Sequence, residues 1–194
     1  MKNIFALALL SLLFMACANK STLRYEALSQ SLRKNGFEGA IKEVEKEHKD
    51  LYGEKSVFLY HFDLGTLHHY NRNWDASIEH FAKAEQVYDD LFTKSVTNEA
   101  AAVVTNDNTR PYRAKPFELL LLHQFQILNF LAKNDLNGAS VEVKRAQMAM
   151  ESLYQKDAEK ANDNGFLYYL SAIVYEMNGE DDDAAIAYYK AAKA

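Results

Sequence analysis

The sequence predicts an all-α fold: antiparallel helix pairs stacked as repeats, an α-solenoid interrupted by one long inter-repeat loop. Three observations carry this expectation. Apolar residues recur at helical spacing through most of the chain. Only two prolines and seven glycines interrupt 194 residues, so long helices cost little. One pattern of small and large side chains also returns along the chain. No stretch alternates with a period of two over a strand's length, so no sheet is expected. Apolar residues at 48% and charged residues at 25% suit a globular domain and argue against disorder or a polytopic membrane protein. The formal charge of −5 repels phosphate backbones, which argues against nucleic acid as a partner.

Residues 1–16 read as an export signal. Lys2 supplies the positive start, Ile4 to Phe14 is an apolar run, and Ala16 is a small residue directly before Cys17. The run is shorter than the ~20 residues a spanning helix needs. Leu13-Phe14-Met15-Ala16-Cys17 resembles the lipobox of bacterial lipoproteins, with Phe14 where an aliphatic residue is usual. That resemblance makes Cys17 the lipid attachment point and 17–22 a lipidated tether. Each buried acyl methylene contributes about 0.8 kcal/mol to anchoring. Ala18 after the cysteine, where an acidic residue would signal retention, resembles Gram-negative lipoproteins of the outer membrane and implies a periplasm-facing site. Cys17 is the one cysteine, so no intrachain disulfide forms and the fold rests on packing.

After the tether, 23–194 reads as one helical repeat domain of four pairs, 23–53, 55–92, 116–156 and 164–194, with 93–115 as an inserted loop. In the first pair, Phe37, Ala40, Ile41, Val44, His48 and Leu51 form one amphipathic stripe. Asn35-Gly36 ends the helix before it and Tyr52-Gly53 ends this one. Further helices are expected near 55–71, 74–95, 116–133, 136–156, 164–178 and 181–193.

Leu64, Gly65, Ser77, Phe81 and Ala84 set the recurring pattern. The segment 73–84 lines up with 135–146. Tyr168, Ala172, Tyr175, Ala184, Tyr188 and Ala191 reproduce it again, with Ala172 in place of the glycine. The reason is steric: small side chains let paired helices approach, and large ones fill the hole in the neighbouring repeat. This spacing resembles the tetratricopeptide repeat, with Ser77 where alanine is commoner and His61 and His68 where aromatics are preferred. The pair 23–51 is a degenerate first copy.

The inserted loop holds both prolines, Pro111 and Pro116, and the polar run 105–110. Loops this long inside a compact domain are usually functional or disordered. A short helix is expected over 98–104 and an extended segment over 106–115. Thr93-Lys94-Ser95, Asn106-Asp107-Asn108, Pro111-Tyr112-Arg113, Phe117-Glu118, the segment 139–146 and the segment 166–171 together resemble a family of bacterial tetratricopeptide-like lipoproteins of uncharacterised function. The resemblance spans most of the mature chain. It implies fold and location and no reaction.

The expected function is therefore a membrane-anchored scaffold that binds a protein or peptide partner of the cell envelope. Leu59, Phe62, Thr66, His69 and Tyr70 occupy the inner-helix positions that line the groove in the fold resembled. Of these, Thr66, His69 and Tyr70 are candidate contacts. Asn106, Asp107, Tyr112 and Arg113 of the loop form a second candidate surface.

Other chemistry is weakly signalled. His61, His68 and His69 share a helix without a zinc motif such as His-Glu-x-x-His, and packing is the expected role. Asn162-Asp163-Asn164-Gly165 lacks the glutamate that closes a calcium loop and reads as a turn and helix N-cap. Glu180 to Asp183 read as carboxylates at a helix start, where the dipole favours them. No nucleophile motif and no phosphate loop is present, so no catalytic residue, metal or cofactor is expected.

Glu118, Glu142 and Arg145 are the charged groups expected to meet between adjacent helices as a structural ion pair. The alternative is a cell-envelope enzyme or enzyme activator, acting on peptidoglycan or glycan with Glu118 or Glu142 as acid. The segment 190–194 stops within a helix, so a partner, further chain or self-association through 181–194 is expected to cover that end.

Overall fold

The computed structural model describes residues 20–98, 110–154 and 164–194. Among them lie eight α-helices and no strand. The helices belong to two compact units that divide after Gly53, where the apolar periodicity reads one continuous repeat domain from 23 onward. The export signal, Cys17 and the loop residues Asn106 and Asp107 lie outside the described residues.

The first unit holds α1 (Lys20–Lys46) and the short α2 (His48–Leu51). The expected break at Asn35-Gly36 is a left-handed residue inside α1: Gly36 has φ 67° and ψ −169°, a conformation glycine adopts without a Cβ penalty. Ala40, Ile41, Val44 and Tyr52 are buried, while Phe37 is exposed. Arg24 lies 5.3 Å above the Tyr52 ring. The helix expected over 37–51 is interrupted at Glu47 (φ −93°, ψ 17°) before α2 begins.

The second unit contains six helices: α3 (Val57–Tyr70), α4 (Trp74–Asn98), α5 (Pro116–Ala132), α6 (Leu136–Tyr154), α7 (Gly165–Met177) and α8 (Asp181–Lys193). They pack as three hairpins, α3 on α4, α5 on α6 and α7 on α8. Successive hairpins join through α4 on α5 and α6 on α7, and the first helices also meet in succession, α3 with α5 and α5 with α7.

All three hairpins turn in the same way. Arg72, Asn134 and Gly179 take left-handed φ of 60°, 57° and 73°. The residue after each donates its N–H back into the preceding helix: Asn73 to His68 O, Asp135 to Phe130 O and Glu180 to Tyr175 O, each 2.9 Å. This is the Schellman closure of a helix C-terminus, which satisfies carbonyls the helix leaves without partners. The second helix then starts with Ser77 N–H on Asn73 O, Ala139 on Asp135 O and Ala184 on Glu180 O.

Close approach within each hairpin rests on small residues. A Cβ on Gly65 would stand 2.9 Å from the Phe81 ring, so that aromatic fills the space the glycine leaves. Ala139, Val143 and Ala146 of α6 pack with Leu120 and Ile127 of α5 and with Leu167, Leu170 and Val174 of α7 in one core cluster. Each large aliphatic side chain buried there contributes about 1.5–3 kcal/mol.

The expected inserted loop, 93–115, starts later than the sequence suggests, because α4 continues to Asn98. Before α5, the segment from Arg110 to Lys115 is non-helical and tied down. Tyr112 N–H donates to Lys55 O at 2.7 Å, and its ring lies 6.3 Å from that of Phe58. No helix among the described residues is long and apolar enough to cross a membrane.

Candidate functional site

Of the candidate groove residues, His69 ends a polar chain that crosses three helices. Gly65 O on α3 can only accept, so Ser77 Oγ of α4 donates to it at 2.7 Å. Ser77 then accepts from Asn129 Nδ2 of α5 at 2.8 Å. That fixes the Asn129 amide with Oδ1 toward His69, 2.7 Å from Nδ1. The proton between them therefore sits on His69 Nδ1. Ser77 and Asn129 are fully buried, where such a chain is stabilising only when every member is paired.

Around His69 the rings of Tyr70, Trp74 and Phe125 stand edge-on at 5.2, 5.4 and 4.9 Å. Phe125 also stacks on Phe81 at 5.4 Å, so the surface aromatics are braced from the core. Tyr70 is 55% exposed and is the ring this cluster presents outward. Thr66 is placed differently from its expected role: its hydroxyl donates to Phe62 O one turn back, at 2.9 Å, and is spent on its own helix.

A second polar cluster is enclosed between α4, α5 and α6. His123 Nδ1 lies 2.5 Å from Glu142 Oε1. Arg145 reaches Glu142 at 3.6 Å and Glu85 at 3.1 Å. Burial pushes the Glu85 carboxyl above the usual carboxylate range, against the opposing pull of His123 and Arg145. Glu142 and Arg145 therefore meet along one helix, α6, and not between adjacent helices as expected; their partners on neighbouring helices are His123 and Glu85. Glu118 does not join them: it caps α5 by accepting the Lys115 N–H at 2.7 Å and takes the Tyr112 phenol at 2.9 and 2.8 Å. The loop residue Tyr112 is consequently docked onto the fold, while Arg113 beside it is exposed.

His61 and His68 pack, as expected, and they do so around His80. His61 Nδ1 and His80 Nδ1 are 3.0 Å apart, and His68 stacks on His80 at 5.4 Å. Burial, then the neighbouring imidazoles of His61 and His68, push His80 down to about 4. Among the described residues, no group of three or more His, Cys, Asp or Glu side chains is arranged to hold a metal ion. Asn164 precedes α7 as expected, but its side chain does not cap that helix. Its Oδ1 accepts from Gln124 Nε2 of α5 at 3.0 Å instead. The three aspartates of 181–183 do occupy the first turn of α8.

Sequence reading missed His80, Glu85, His123 and Asn129. One signal was present: His61 and His80 are nineteen residues apart, as are His123 and Glu142. Each pair bridges the two helices of a hairpin at the same level. Compared with protein-family models, curated proteins and solved structures, the chain matches none.

Proposed function

We propose that the chain is a lipid-anchored scaffold of the cell envelope. In this reading Cys17 tethers it to the outer membrane facing the periplasm, and tetratricopeptide-like hairpins hold a protein or peptide partner. The observation that carries the reading is the recurrence of one hairpin closure at Arg72, Asn134 and Gly179, with the first helices meeting in succession. In the repeat this resembles, those first helices line the binding groove. Tyr70 and His69 lie on the first of them, held by Phe125 and Asn129. Aromatic anchors fixed in advance lose little entropy on binding.

Two experiments test the two halves separately. Palmitate labelling of the wild type is expected to vanish in Cys17→Ser. Crosslinking in intact envelopes is expected to recover one defined partner that is lost in Tyr70→Ala or Arg113→Ala. Labelling that survives the first change removes the anchor, and recovery of no specific partner removes the scaffold.

The competing reading, cell-wall chemistry through Glu118 or Glu142, gains no support from a specific observation. Glu142 is 2% exposed, and Glu118 is engaged by Tyr112 and Lys115. Activity on cell-wall material that disappears in Glu118→Gln or Glu142→Gln would reverse this preference.

A further inference from the structure

The shared hairpin closure sets a register for comparing equivalent positions. The steps that carry Arg72 onto Asn134 and Gly179 carry His61 onto His123 and Tyr168, and His80 onto Glu142 and Ala187. The first hairpin fills this level with an imidazole pair at 3.0 Å. The second fills it with His123 and Glu142 at 2.5 Å. In the third, Tyr168 is retained as a polar ring, but Ala187 is only a methyl and cannot reach across to it.

A cavity of about 410 Å³ lies at that level, with Tyr168, Ala187, Gln147, Tyr175, Met150 and Lys190 in its wall. The surroundings of Glu142 also recur. Arg145, which meets Glu142 at 3.6 Å, is carried onto Lys190, and Glu85 is carried onto Gln147. The cation and the polar ring are therefore kept in the third hairpin, a hydrogen-bonding side chain faces them from α6, and the central carboxylate is replaced by a methyl. Gln147 Nε2 donates to the Tyr175 hydroxyl at 2.8 Å, which leaves that phenol's own hydrogen as a donor.

We infer that this cavity is a carboxylate-binding slot: it takes from a ligand the group that Glu142 supplies from within the chain one hairpin earlier. Its volume lies in the range of small-ligand sites, and Met150 and Ala187 give it an apolar wall for a short aliphatic stem. Glu151 and Asp183 also line it, and both, like Lys190, are exposed to water, which weakens all three charges alike. The two carboxylates favour a cation, but the cation position over Tyr168 is already held by Lys190, 5.6 Å from the ring centroid. The ligand chemistry is thus a carboxylate on two or three methylenes, either a free short-chain acid or a glutamate side chain of a peptide. The slot is independent of the aromatic face on α3 and of the anchor.

NMR titration of the full chain tests it with three probes: sodium butyrate, the blocked peptide acetyl-Gly-Glu-Gly-amide, and n-butylamine. Butyrate or the peptide is expected to shift the amides of Ala187 and Lys190 saturably, and Lys190→Met is expected to weaken that binding at least tenfold. Tighter binding of the peptide identifies a peptide source, and equal or tighter binding of butyrate a free acid. Ala187→Glu gives a second measurement that needs no ligand. If the slot fits a carboxylate, this buried substitution leaves Tm at or above the wild-type value and blocks both acids, and it lowers Tm only when combined with Lys190→Met. Saturation by butylamine instead of the acids, binding of no probe, or an equal drop in Tm with and without Lys190 would overturn the inference.

Discussion

His123 and Glu142 face each other at 2.5 Å with side chains 2% and 3% exposed, and Arg145 shields the second carboxylate oxygen at 3.6 Å. Breaking a buried pair of this kind from one side leaves the remaining polar group without compensation, at a cost of about 3–5 kcal/mol. Glu142→Ala is expected to lose stability in that range in urea unfolding. Glu142→Gln keeps the shape and an acceptor, and its loss should be smaller.

The histidine trio predicts a dependence on pH. The His80 imidazole is held down to about 4 against an ordinary 6.5, so the unfolded chain takes up its proton first as pH falls. Stability from this group is present above about pH 6.5, declines from there to about pH 4 and is then constant. The full shift would correspond to about 3 kcal/mol. The residue is only partly buried, so screening reduces the expected effect to about 1–2 kcal/mol. Glu85, raised by burial, acts in the opposite sense, gaining stability as the medium becomes acidic. The diagnostic measurement is therefore a difference: unfolding free energy of wild type minus His80→Gln between pH 4 and 7. A flat difference would refute the prediction.

The hairpin closures predict opposite signs at equivalent sites. Arg72 and Gly179 take nearly the same left-handed conformation, φ 60° and 73°, but only glycine does so without steric cost. Arg72→Gly is expected to stabilise by about 0.5 kcal/mol, the relief of strain being partly offset by the freedom glycine adds to the unfolded chain. Gly179→Ala should destabilise by about 1 kcal/mol. Thermal unfolding of the two variants gives both signs directly.

What was legible in the sequence follows from how local each signal is. The six helices of the second unit were legible because period-3.6 stripes and turn residues such as Asn134 and Gly179 act over a few positions. The end of α4 was not, because a helix end is set by the last few backbone bonds and carries little pattern of its own. Glu118 was misplaced for a geometric reason. It stands three residues into α5 and folds back to cap it, while His123, five residues on, points to the opposite side and meets Glu142. Asn129 gave no warning, since a lone amide in an apolar helix acquires meaning only from the serine it meets on another helix.

That last pair supports a double-mutant prediction. The register places Ser77 with Ala139 and Ala184, and Asn129 with Leu67 and Val174, so both residues depart from small or apolar counterparts. They depart together, joined at 2.8 Å in a fully buried contact. Ser77→Ala alone removes the second bond to Gly65 O, leaves Asn129 Nδ2 without a partner and should cost about 1–3 kcal/mol. Asn129→Val alone leaves the serine one bond short and frees His69 toward water, a smaller loss. With both replaced, the buried donor and its acceptor vanish together, and only His69 has to find a new partner. The double variant should therefore be more stable than the sum of the single losses predicts, by about 1 kcal/mol or more. Simple additivity in urea unfolding would mean that the two side chains do not depend on each other, and that the chain from Gly65 to His69 does not act as a unit.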